Sequence, residues 1–160
     1  MFNYVTWKEG EKLTQEYMTK QGYKIIYINY SCIGVELDIV AIWPRKKQIK
    51  KLKEDFKKKY KTFETARQKY VEKNILKNQI KDAADLLVVT EVKARSSEKF
   101  GLGSEAVSKH KQKNIVRGIE YLLSTKEFKG MNVRLDVSSV DGDIITYIEN
   151  ISYWYFFTKS

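Results

Sequence analysis

Two carboxylates and a lysine in this chain are spaced for shared chemistry. Glu91 and Lys93 stand in Thr90-Glu91-Val92-Lys93, inside an otherwise apolar run from Leu86 to Val92. Side chains two apart on a β-strand share one face, so an acid and a base project side by side. Burying both is costly unless a partner or a metal compensates. Asp38, in Val35-Glu36-Leu37-Asp38, can complete the set. If the strand ending at Trp43 folds back on the strand beginning at Leu86, the same register brings Asp38 opposite Glu91. Opposed residues on antiparallel strands hold their Cβ atoms ~4.5–5.5 Å apart, close enough to share an ion and repulsive without one. Oxygen-only ligation with retained water suits Mg²⁺ or Mn²⁺ and is wrong for structural zinc. Such an ion activates water and neutralises charge on a phosphodiester, while Lys93 orients the nucleophile or stabilises the developing oxyanion. Glu11 is a further candidate ligand that spacing alone does not place.

Each of these residues also has a plainer reading. Glu91 and Lys93 by themselves make an ordinary strand-end salt bridge, and the specificity comes from adding Asp38. His110, the sole histidine, lies in a lysine-rich helical turn and reads as solvated rather than as a general base. Cys32, the sole cysteine, leaves no intramolecular disulfide and no cysteine-based zinc cluster, which fits a reduced, cytoplasmic protein.

The elements that must position these groups are legible in the hydrophobic pattern. Thr6 followed by Glu9 is a capping-box signature, and Leu13, Tyr17 and Met18 recur at helical spacing before Gly22. Tyr23 to Tyr30 and Val35 to Trp43 read as strands, Leu86 to Lys93 as a third. Ser96 to Ser104 is a loop with two glycines, and a second helix runs from Glu105 to Ser124 with Ser104 as its N-cap. Its Ile115, Ile119, Leu122 and Leu123 face the core, and Lys109, Lys113 and Arg117 line another face. Val133 to Val140 and Asp143 to Glu149 flank Asp141-Gly142, a two-residue hairpin signal. The aromatic tail, Ile151 to Phe157, is expected to close an edge of the core. Strands interleaved with helices imply a mixed sheet covered by helices, in a single domain spanning 1–160.

Charge is concentrated in one place. The 160 residues carry a net +10, and Arg45 to Asp85 alone holds 15 Lys+Arg against 6 Asp+Glu, a net +9. Ile49, Leu52, Phe56, Tyr60, Phe63 and Tyr70 recur there at three- and four-residue steps, so this segment is a long amphipathic helix or helical pair inserted between strands two and three. Its aromatics read as packing residues. A basic balance of this size favours a polyanionic partner such as nucleic acid. Lys8, Glu9 and Glu11 occupy the place of an apolar leader, and no later apolar run approaches the length of a membrane span.

Together these residues carry a resemblance. Gly10-Glu11, Gly22-Tyr23, Asn29, Glu36-Leu37-Asp38-Ile39-Val40-Ala41, Glu91-Val92-Lys93-Ala94-Arg95, Phe100-Gly101, Glu105-Ala106-Val107, Lys111-Gln112, Arg134-Leu135-Asp136-Val137 and Ile148-Glu149-Asn150 look like the YraN family of bacterial candidate endonucleases. That family is related to archaeal Holliday junction resolvases within the PD-(D/E)XK nuclease superfamily. The resemblance implies an α/β, restriction-endonuclease-like fold, with Asp38, Glu91 and Lys93 as the metal and catalytic set. It also implies Glu11 as the acid on the first helix and Gln112 as a supporting residue. The family's Gly-Glu-Ile-Asp is Val35-Glu36-Leu37-Asp38 here, and the family joins these strands by a short turn where this chain has its basic insert, 45–85. The function expected is a Mg²⁺- or Mn²⁺-dependent DNA endonuclease acting on structured DNA in repair or recombination. The alternative is a non-catalytic nucleic-acid-binding or scaffold protein that keeps the fold. DNA, branched or single-stranded, would meet Arg95, Lys109, Lys111, Lys113, Arg117, Lys50, Lys53 and Lys57. A homodimer is a further expected partnership, and a membrane is not.

Overall fold

A computed structural model of the chain describes residues 5–94 and 108–151. Its elements follow the order α1 (Trp7–Gln21), β1 (Lys24–Cys32), β2 (Val35–Trp43), α2 (Arg45–Tyr60), α3 (Ala66–Asp82), β3 (Leu86–Ala94), α4 (Lys109–Ser124), β4 (Asn132–Asp141) and β5 (Ile144–Ile148). The five strands form one mixed sheet in the order β1-β2-β3-β4-β5. β3 pairs antiparallel with β2 and parallel with β4, so it is the central strand. The antiparallel register is the expected one, Trp43 against Leu86, and it runs inward as far as Ile39 against Thr90.

Helices cover both faces. Val35, Leu37, Val40, Leu87 and Val89 pack with Ile115, Ile119 and Leu122 of α4. On the other face Ile39, Ala41, Val88 and Val92 pack with Met18 of α1, with Leu13 and Tyr17 alongside. Alternation along β3 produces this division, because odd-numbered residues face α4 and even-numbered ones face α1. Close approach is built in at Gly118 of α4, where a Cβ would come within 3.0–3.2 Å of the Leu37 side chain. The first helix is capped as its sequence indicates: Glu9 N–H donates to Thr6 Oγ1, Thr6 N–H donates to Glu9 Oε2, and Gly22 adopts φ +98° at the C-terminus.

The charged segment is a helical pair, α2 and α3, separated by a break at which Thr65 and Gln68 form a second capping box. No residue of either helix is buried. Phe56, Tyr60 and Phe63 pack on one another with ring centroids 5.5–6.3 Å apart, as expected of packing residues. Tyr70 is a correction, being 70% exposed, and Tyr60 stays 45% exposed despite its ring contacts. The foot of the pair is tied to the sheet by Arg45 N–H donating to Asp85 Oδ1 and by Gln48 Nε2 donating to the Trp43 and Ala84 carbonyls.

Boundaries also differ from expectation: β1 ends two residues later, at Cys32, and the ends of β3, β4 and β5 shift by one residue. Helix α4 starts at Lys109, its N-cap Ser108 accepting the Lys111 N–H, so the cap is four residues later than Ser104. Ser108 has the same capping chemistry, and the Ser96–Ser104 loop and Glu105 lie outside the described residues. The β4–β5 turn consists of Gly142 and Asp143 between the paired Asp141 and Ile144, one residue beyond Asp141-Gly142. Gly142 at φ +56° takes the first turn position, where a left-handed backbone is required. The aromatic tail beyond Ile151 is likewise outside the described residues.

Candidate functional site

The site forms where β2 leaves the ladder. Leu37 and Val40 both face α4 although they are three residues apart, so the alternation of β2 breaks at Asp38–Ile39. Across on β1 the register passes from Ile28↔Ile39 to Tyr30↔Leu37, and the residue between, Asn29, has φ +50°. Asparagine tolerates this left-handed backbone better than most residues, which lets both strands kink together. Tyr27 and Tyr30 stack at 4.7 Å across the same kink. Asp38 main chain therefore sits just past the last β2–β3 pair, and its side chain takes over the pairing: Val92 N–H donates to Asp38 Oδ2 at 2.7 Å.

Asp38 and Glu91 meet there, 3% and 1% exposed. Burial, the neighbouring Glu91 charge and a carboxyl–carboxyl hydrogen bond push the Asp38 carboxyl up to about 7, against the pull of the Val92 N–H and of Lys111. Two lysines grip Glu91. Lys93 Nζ lies 3.0 Å from Oε1 and Lys111 Nζ 3.4 Å from Oε2. Oε1 nonetheless has no hydrogen bond: the Lys93 ammonium is at ion-pair distance but outside hydrogen-bonding direction.

Glu11 is buried on α1, on the opposite side of the sheet from Lys111 and α4. Its Oε2 accepts from Asn29 Nδ2 at 3.0 Å and its Oε1 has no partner. Among the described residues no three acidic, histidine or cysteine side chains converge as a metal cage, so the structure brings Asp38 and Glu91 together without closing Glu11 onto them. Alternation explains the separation, since Glu91 faces α4. The donor set still fits a hard divalent cation. Two carboxylates share one buried place, one of them is forced toward its protonated form, and buried oxygens on Glu91 and Glu11 lack hydrogen bonds.

Gln112 is half-buried on α4 beside Lys111. Lys113 and Arg117 are exposed on that helix, as are Lys50, Lys53 and Lys57 on α2, with Lys50 3.8 Å from Glu54. Lys109 is the first residue of α4, and Arg95 lies outside the described residues. His110 is exposed, in hydrogen-bond contact with Asn114, as expected of a solvated residue.

Sequence reasoning assigned no role to Asn29 or to a second polar cluster on the α1 face. Asp136, fully buried, accepts from Arg134 Nε and Nη2, from Tyr147 Oη at 2.9 Å and from Asn150 N–H at 2.8 Å. Burial pushes its carboxyl up, against the pull of Arg134 and these donors. Tyr147 Oη also bonds Thr90 Oγ1, while Glu149 joins Arg134 to Lys51 at the foot of α2. The signal was available: Arg134 and Asp136 are an acid and a base two apart on a core strand, the same pattern that singled out Glu91 and Lys93.

Fold and site define a mixed α/β protein whose central strands present a buried carboxylate pair to lysines. The chain belongs to the family described as "Uncharacterised protein family UPF0102", whose model matches residues 10–140. It is similar to a UPF0102 protein of Caldanaerobacter subterraneus subsp. tengcongensis, 31% identical over 82% of this chain and 75% of the relative. A UPF0102 protein of Fusobacterium nucleatum is 31% identical over 89% of this chain and 87% of its own. One from Persephonella marina is 24% identical over 94% and 95%. The matched span includes Glu11, Asn29, Asp38, Glu91, Lys93 and Lys111, and family membership agrees with the YraN-like resemblance.

Proposed function

We propose that this protein is a Mg²⁺- or Mn²⁺-dependent endonuclease that hydrolyses phosphodiester bonds in structured DNA, on a restriction-endonuclease-like core. The observation that carries the reading is the Asp38–Glu91 pair, buried, mutually repulsive and flanked by lysines. Asp38 and Glu91 would hold the ion, which when bound supplies water activation and neutralises phosphate charge. Lys93, beside the pair, places a positive charge where the developing oxyanion needs it. Asn29 keeps Glu11 oriented from the other side. The exposed lysines of α2 and α4 would hold the DNA backbone, which supplies affinity without sequence information.

The test is to incubate the purified protein with linear, nicked, flapped and four-way DNA in Mg²⁺, Mn²⁺ or EDTA. Cleavage that requires the metal and disappears in both Asp38→Asn and Glu91→Gln is the expected result. DNA binding with no cleavage under any condition would instead support a non-catalytic nucleic-acid-binding protein, a reading favoured only by the basic helical pair.

A further inference from the structure

Lys111 stands where a lysine is least expected. It lies in the first turn of α4, where unpaired backbone N–H groups already concentrate positive charge, and that turn holds no acidic residue. Its ammonium nevertheless reaches across to Glu91 Oε2, at 3.4 Å. Lys93 already sits at 3.0 Å from the other oxygen, so one buried carboxylate carries two cations. Two ammonium groups match two carboxylates only with Asp38 ionised, the state that a bound cation requires.

A divalent ion at the pair breaks that balance, and one ammonium must give way. Lys111 is the one placed to do so. It is the more distant of the two and the more exposed, 34% against 27%. It hangs from a different layer on a flexible four-carbon stem, whereas Lys93 shares a strand and a face with Glu91. We propose that Lys111 is the resident counter-cation of the Asp38–Glu91 pair, displaced by the divalent ion and thereby released to a DNA phosphate, so that metal and DNA bind with positive coupling through this side chain. The inference rests on the nuclease reading above and adds a coupling that the reading does not require. Because linkage is reciprocal, metal raises DNA affinity by the same factor that DNA raises metal affinity.

The experiment measures binding and not turnover. Mn²⁺ is titrated into the full-length free protein by electron paramagnetic resonance, and a fluorescent duplex with hydrolysis-resistant phosphorothioate linkages is titrated with and without Ca²⁺ by anisotropy. Lys111→Met should bind Mn²⁺ more tightly in the absence of DNA, on the order of tenfold, because the competing cation is gone. It should also lose most of the enhancement of DNA affinity that Ca²⁺ gives the wild type. Lys111→Arg keeps the cation and should retain the coupling. Far-UV circular dichroism checks folding, with Lys111→Gln as a second neutral variant if Lys111→Met fails to fold. Unchanged or weaker Mn²⁺ binding in the neutral variants, or coupling equal to wild type, overturns the Lys111 assignment while leaving the metal site standing. Wild-type protein that binds no Mn²⁺ sensitive to Asp38→Asn overturns the nuclease reading itself, and this inference with it.

Discussion

Asp38 is the residue whose chemistry depends most on its surroundings. With its carboxyl raised to about 7 in the fold and near 3.8 when unfolded, its contribution to stability is full below the unfolded value and is lost as the pH rises through about 7. Metal-free protein should therefore lose stability between about pH 4 and about pH 8, by up to roughly 4 kcal/mol at ~1.4 kcal/mol per pKa unit. Asp38→Asn keeps an acceptor for the Val92 N–H and removes the charge. Urea unfolding in EDTA should find it more stable than wild type near pH 8 and nearly equal near pH 4, with added Mg²⁺ narrowing the gap only for wild type. A difference of the same size at both pH values would mean that the carboxylate repulsion is not what limits the fold. Lys93 makes a separate prediction. Lys93→Ala should lower the cleavage rate on the order of 10² or more with DNA affinity nearly unchanged, as for loss of a group acting on transition-state charge. Equal losses of rate and affinity would recast it as a phosphate-binding lysine.

At the scale of elements, the sequence was clearest where a pattern repeats. Val35 to Trp43 was readable to the residue because every position but Glu36 and Asp38 is apolar, and the register with Leu86 followed from the ends of the two runs. That the Asp38 and Glu91 carboxyls meet was legible for the same reason, although the ladder itself stops at Ile39 and Thr90. The kink was not, because a single left-handed residue leaves no periodicity, and Asn29 reads as one polar position in an alternating strand. Glu11 failed to close on the pair because its placement depends on which face α1 covers, a tertiary fact that helical spacing does not carry. Asn29 can be dissected. Asn29→Gly keeps the backbone permitted and removes the tether to Glu11, so stability should change by about 1 kcal/mol or less and a fall in activity would report a role for Glu11 across the sheet. Asn29→Val should lose both, since a β-branched residue resists φ +50°. Equal activity in wild type and Asn29→Gly would show that Glu11 needs no tether. Gly118→Ala probes the opposite layer. Its gain in helix propensity, up to ~1 kcal/mol, is opposed by overpacking against Leu37 worth about 1–3 kcal/mol, and a lower thermal midpoint is expected.

For the whole molecule, the decisive fact is that the strongly charged part and the candidate chemistry are separate. None of α2 or α3 is buried, and the pair joins the sheet beyond Trp43 and Leu86, at the end of the ladder away from Asp38 and Glu91. Replacing 45–85 with an Asn-Gly turn should therefore weaken DNA binding and flatten its dependence on salt, yet leave metal-dependent cleavage detectable at low salt and high enzyme. A shortened protein that folds and keeps the wild-type salt slope but no longer cuts would show that the helical pair serves the chemistry rather than the grip.

The central position of β3 has a kinetic consequence. β1–β2 and β4–β5 are hairpins that close over short turns, but β3 has no neighbour close in sequence: the α2–α3 pair separates it from β2 and α4 separates it from β4. Closing long loops costs entropy before any contact repays it, so β3 should dock after both hairpins have formed. Glu91 and Lys93 ride on that last strand. A chain refolding from the denatured state would then carry Asp38 on a finished hairpin without its partner, and the pair would exist only once folding is essentially complete.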